Sequence, residues 1–256
     1  DAADAVNAER LRIVRDSVAE IERFVNQVYL PDALAIAGRY KDAATSGEGL
    51  GNFLTWGEFP SRGIDDLAGL LVPRALVLDR DLDHLVVPDP RDVARLKESV
   101  ARSWYRYSTD DVAGLHPWFG ESTFAYSGPR PPYDFLDVDG AYSWLKAPRW
   151  DGRAVEVGPL ARALVLYASG HGPTRMRIDA ALDALHLPLS ALYSTLGRTL
   201  ARAVETATLA AAMSGWLDAL TGMAGAGAVD TFDTERWDPH TWPTHAVGFG
   251  FMEAPR

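Results

Sequence analysis

Cysteine is absent from all 256 positions of the chain. Its absence excludes disulfides, thiolate nucleophiles, zinc ribbons and iron-sulfur ligation by these residues alone, and leaves the redox state of the compartment unreadable. Basic charge is also scarce: 25 Lys and Arg face 35 Asp and Glu, for a formal net charge of -10. A field of that sign argues against nucleic acid and anionic lipid as partners. No stretch reaches the ~18 to 20 uninterrupted apolar residues of a membrane-spanning helix. The longest weakly polar run, 206–229, is broken by Asp218. The opening DAADAVNAER is acidic and has no basic segment leading into an apolar core, so no signal peptide is expected in it.

Familiar catalytic patterns are missing as well. The histidines at 84, 116, 171, 186, 240 and 245 include no i, i+4 pair around a glutamate, the arrangement a helical zinc site uses. His240 and His245 are separated by a stretch containing Pro243, which defeats helical presentation, so they read as hydrogen-bonded loop residues. Gly47, Gly49 and Gly51 lack the preceding strand, following helix and lysine of a nucleotide loop and read as turn glycines. Neither Ser143 nor Ser194 sits in a Gly-x-Ser-x-Gly elbow.

What is present is ample material for a core, with 47% apolar residues. Leu11, Val14, Val18, Ile21, Val25 and Val28 step by three and four, which predicts a helix from Asn7 to Tyr29. Pro31 can open a second, bent segment through LPDALAIAGRYK. Glycine turns and β-branched or aromatic clusters from Thr45 to Leu82 predict short strands. Asp89-Pro90 reads as a helix start, with Val93, Leu96 and Val100 on one face. The stretch from His116 to Val157 predicts a long ordered loop region with short strands. Helices return with GPLARALVLYASG, and Leu189, Leu192, Leu196, Leu200, Val204 and Ala207 mark a long helix towards Leu220, ending in a GMAGAGAVD loop. The expected fold is mainly α: a long-helix bundle in one domain over 1–256. Helices are expected over 5–44 and 158–222, a loop-rich, short-strand (α+β) insertion over about 45–157, and an irregular tail over 223–256.

Two stretches share a theme, KAPRWDG at Lys146 to Gly152 and MEAPR at Met252 to Arg256. Proline stiffens the backbone just before each arginine, and the residue before proline is pushed towards an extended conformation. Each guanidinium is thus presented from a firm support. On spacing alone, both also suit salt-bridged surface arginines.

At this point YSWLKAPRWDGRAVEVGPLARALV, Tyr142 to Val165, is similar to a signature of the nickel-iron hydrogenase large subunit. FVNQVYLPDALAIAGRYKD, GLGNFLTWGEFP, SWYRY followed by GLHPWFGES, LPLSALYSTLGRTLARAVE and WDPHTWPTHAVGFGFMEAPR agree, in the family's order. The resemblance covers essentially the whole chain. GLHPW, KAPRW and STLGRT look most like the membrane-bound uptake enzymes.

The resemblance implies a catalytic subunit acting on H2, with a Ni-Fe(CO)(CN)2 centre held by four cysteine thiolates. It also implies an iron-sulfur small subunit as partner, a membrane cytochrome b reached through that subunit, and a location on the periplasmic side of the membrane. The family's two Cys-x-x-Cys motifs are not in this sequence, so it is expected to be the central part of a longer subunit, inactive alone and binding no metal by itself. Arg256 matches the arginine suspended over the open nickel position, and Pro255 the proline of the same canopy. Lys146, Arg149, Asp151 and Glu156 read as an ionic clasp between loop and bundle, and His116 receives no role. The alternatives are a metal-free relative, such as the quinone-site subunit of NADH dehydrogenase, and a structural assembly module. KAPRWDG, EVGPLAR and MEAPR fit hydrogenases better, and flanking Cys-x-x-Cys motifs would separate the three.

Overall fold

The apolar repeat that begins at Leu11 does form a helix. In the computed structural model of the chain, α1 runs Ala8–Phe24, with the Asn7 side chain accepting from the Arg10 N–H at 3.0 Å as its cap. The structure describes residues 6–61, 66–109, 114–129, 139–228, 237–248, 250 and 252–254. These fall into two compact units, one of Asp1–Glu48 with Gly170–Gly250 and one of Gly49–Ser169 with Phe251–Arg256.

In the helical unit a π turn, Val25–Tyr29, carries α1 into α2, Leu30–Arg39. The Leu30 N–H reaches back to the Val25 carbonyl, so the ladder changes step where Pro31 brings no N–H of its own. Beyond them lie α4, Gly172–Leu185, and α5, Thr195–Gly225. Helices α1, α2 and α4 all pack on α5. Its small residues allow the approach: Val25 meets Ala207 and Ala210, while Ala37 and Leu185 meet Leu200. Of the predicted stripe on α1, only Val18 and Val25 are buried, whereas Val14, Ile21 and Val28 are exposed.

The long C-terminal helix differs from expectation at both ends. Leu189–Tyr193 is a separate 3₁₀ turn, because the Ser194 side chain caps α5 by accepting from the Gly197 N–H at 3.0 Å. At the other end the helix passes Leu220 and runs through Gly225. Gly227, at φ 81°, then closes it by a Schellman motif, with Ala228 N–H to Met223 O and Gly227 N–H to Ala224 O.

The second unit is built from short antiparallel pairs. Strand β1, Phe53–Thr55, pairs with β4, Ala75–Val77; β2, Glu58–Pro60, pairs with β3, Leu70–Val72. A three-stranded sheet has the order β5 (Leu96–Ser99), β8 (Ala147–Trp150), β9 (Arg153–Ala154), and β6 (Tyr105–Tyr107) pairs with β7 (Ser122–Phe124). Helix α3, Pro159–Ala168, packs on β1, β3 and β4. Leu54, Leu76, Leu96, Trp150 and Val155 form the core of this unit.

The helix expected after Asp89-Pro90 is absent. Asp92 does accept from the Ala94 and Arg95 N–H groups at 3.2 and 3.1 Å, and its carbonyl takes the Leu96 N–H at 2.9 Å, but this capped start stops after a single turn. Leu96 to Ser99 then join β8, with Leu96 opposite Trp150 and Ser99 opposite Ala147. Cross-strand pairing outweighs a helical spacing of only three apolar residues.

Candidate functional site

Helix α3 poses a chemical problem. Its residues Pro159 to Leu166 are all buried, and one of them is an arginine, Arg162, 6% exposed. A buried guanidinium needs a carboxylate and further acceptors to offset its lost hydration. Both come from the segment Met252 to Ala254. Arg162 Nη1 lies 3.4 Å from Glu253 Oε2 and donates to the Ala254 carbonyl at 2.7 Å.

Glu253 is 7% exposed and is held from other sides as well. Its Oε1 accepts from the backbone N–H groups of Trp56 and Gly57, between β1 and β2, the latter at 3.1 Å. Its own N–H donates to Glu58 Oε1 at 3.1 Å. Gly57 is required at this approach: its φ is 96°, and a Cβ there would come within 2.5 Å of the Leu70 side chain. Arg74, also buried, secures the same turn by donating from Nε to the Trp56 carbonyl at 2.8 Å. Burial pushes the Glu253 carboxyl above its ordinary range, while the two N–H groups and the guanidinium pull the other way.

This cradle ends one residue short of the two positions singled out from the sequence. Pro255 and Arg256 lie outside the described residues. Sequence reasoning missed Arg162, Glu253 and Arg74 as a set. The signal that could have found them was an arginine in the otherwise apolar PLARALVLYA, which demands a buried acceptor.

The other residues named in the sequence fall elsewhere. In the KAPRW stretch, Lys146 Nζ is 3.9 Å from Glu98 Oε2 and 5.6 Å from the ring centres of both Tyr105 and Tyr107. Burial raises the Glu98 carboxyl, with Lys146 and His116 opposing. Arg149 donates to the Pro148 carbonyl at 3.0 Å, and Asp151 occupies the β-turn into β9 at φ 50°. Lys146 thus pairs with Glu98, a residue not named for the clasp, inside the strand-rich unit. His116 is buried: its Nε2 donates to the Pro90 carbonyl at 2.8 Å, and its Nδ1 accepts from the Trp118 N–H at 3.1 Å. Those two bonds to backbone groups give the ring a structural role. Gly47 turns at φ 70°, and its carbonyl takes a 2.8 Å bond from Arg198 of the STLGRT stretch.

Among the described residues no group of three or more His, Asp or Glu can hold a metal ion. With no cysteine in the chain, these residues do not fit a nickel-iron ligand set. Among the described residues no helix is long and apolar enough to cross a membrane.

Comparison with known proteins places the chain in a family. The profile of the nickel-dependent hydrogenases matches residues 1–256. The chain belongs to that family. It is 39% identical to the uptake hydrogenase large subunit of Bradyrhizobium diazoefficiens, a match covering 100% of this chain and 44% of that protein. To the hydrogenase-1 large chain of Escherichia coli K12 it is 40% identical, with the same coverage. The Ni-Fe-Se hydrogenase of Desulfovibrio vulgaris Hildenborough in its as-isolated oxidized state is similar in structure, with TM-score 0.63 and 29% identity over 84% of this chain and 41% of that one. The chain thus spans less than half the length of these relatives.

Proposed function

We propose that this hydrogenase-family chain is a central part of the catalytic large subunit of a nickel-iron enzyme. The enzyme oxidises H2 to two protons and two electrons, in the uptake direction. The observation that carries the reading is the family match over all 256 residues together with hydrogenase large subunits as relatives across the whole chain. The metal centre is held by thiolates supplied from outside this sequence.

What this chain contributes is scaffold and, at its last two positions, Pro255 and Arg256. A guanidinium stays protonated to a pKa above ~12, so Arg256 serves as a fixed cation that orients substrate and neighbouring carboxylates in a site shielded from water. The proposed partners are an iron-sulfur small subunit that removes the electrons and, through it, a membrane cytochrome b, with the complex on the periplasmic side of the membrane. Relatives that bear the name of uptake hydrogenase large subunits support the direction of reaction.

The test uses the complete subunit purified with its iron-sulfur partner. It should contain nickel and reduce an electron-accepting dye only when H2 is supplied. R256K should keep nickel and lose about a hundredfold in rate, the scale of removing one preorganised donor. A complete complex without nickel and without H2-dependent dye reduction would refute the proposal.

A further inference from the structure

The cradle around Glu253 can be followed one covalent step beyond the last described contact. We propose that Arg162 and Glu253 are positioning residues for Arg256, fixing the direction in which the chain leaves Ala254. This rests on the reading of Arg256 given above. Two features separate it from a simple buried ion pair.

The first is where the guanidinium bonds most closely. Arg162 Nη1 is 2.7 Å from the Ala254 carbonyl and 3.4 Å from the Glu253 carboxylate. The better bond therefore goes to the backbone leading on to Pro255. A buried pair is in general a weak source of stability, since an apolar pair of similar volume serves as well. Holding a particular carbonyl is something an apolar pair cannot do.

The second is covalent. The Ala254 carbonyl lies in the plane of the peptide that joins it to Pro255, so clamping the oxygen sets that plane. Proline then confines its own φ to about -65°. A clamped carbonyl followed by a proline therefore leaves few soft backbone torsions before the next residue. Upstream, both ends of Glu253 are tied: its carboxylate to Trp56, Gly57 and Arg162, its N–H to Glu58. The anchor thus stands two residues before the one it aims, and Trp56, Gly57, Glu58 and Arg162 belong with it to the strand-rich unit.

The experiment is a mutant cycle in the complete, metal-loaded enzyme with its small-subunit partner. E253Q keeps the shape but loses the charge, and R162K keeps the charge but replaces the guanidinium nitrogen that bonds the Ala254 carbonyl. Each should lower kcat for H2 oxidation about tenfold with KM for H2 changed less than about twofold, and neither should lower the rate further by more than about twofold in an R256K background. Independently of activity, amide exchange in the peptide spanning 250–256 should quicken at least about tenfold in both variants. If the losses multiply with that of R256K, or if kcat is unchanged while R256K is impaired, the positioning role is wrong and the reading of Arg256 survives. An R256K enzyme as fast as the parent would instead remove the reading of Arg256 on which the proposal stands. Failure of both variants to yield metal-loaded enzyme would overturn the proposal too, assigning the pair to folding rather than to aim.

Discussion

The helical unit and the strand-rich unit solve burial in opposite ways. In the first, small and branched residues recur along helices, and the core is spread over many modest apolar contacts such as Val25 with Ala207 and Ala210. In the second, the strands are two to four residues long, and distant segments are tied by single polar contacts. Arg162, Glu253 and the Trp56–Gly57 turn join residues nearly two hundred positions apart. The difference teaches where damage concentrates. A distributed core loses a fraction of its stability when one side chain is trimmed, whereas a polar clamp fails when either partner goes.

The largest effect should therefore come from Arg162→Leu. It leaves the Glu253 carboxylate buried with no cation, at a cost of ~3 to 5 kcal/mol. Hydrogen exchange read on peptides from β1, β2 and α3 would measure it, and a loss below ~1 kcal/mol would erase the contrast between the units. Next is Gly197→Ala at the start of α5. A Cβ there would stand 2.3 Å from the Ala191 carbonyl and from Leu192 backbone atoms, where nothing flexible can yield. The expected cost is ~1 to 3 kcal/mol, read as a lower melting temperature of the helical signal in circular dichroism. A neutral outcome would mean that the 3₁₀ turn before α5 is not rigidly seated.

The smallest effects are pH slopes of opposite sign. His171, next to Thr174 at the start of α4, is held below its ordinary value of 6.5 by burial and by Arg177. Its folded form resists protonation, so the stability it contributes is full above 6.5 and is lost as pH falls through its depressed folded value. Glu98 in the strand-rich unit is shifted up from 4.5, chiefly by burial. Its contribution is full below 4.5 and is lost as pH rises through its raised folded value. Exchange measured against pH should show the two slopes, with H171N flattening the first and E98Q the second. Slopes of the same sign in the two units would contradict the assignment.

Legibility followed the range of the interactions. Helix α1 was readable because Val18 and Val25 are seven residues apart on one face, and α3 because Pro159 opens a run of apolar residues. Only two members of the expected α1 stripe proved buried, because periodicity says which residues share a face and not what covers it. LKESV misled for a related reason. Its apolar spacing suits a helix, and nothing nearby in sequence announces that Ala147 to Trp150 will pair with it. At the site, the arginine after the proline was found by resemblance. The cradle beneath it was not, because its members come from positions 56, 57, 162 and 253.

By itself the sequence determined helices α1 and α3, the lack of any thiolate donor and the membership in a hydrogenase family, since these rest on local periodicity, composition and contiguous motifs. Only the tertiary structure decided that the glutamate of MEAPR is buried against the arginine of GPLAR. A buried charge is tolerable only beside its partner, and which residues become neighbours is settled by the folding of the whole unit.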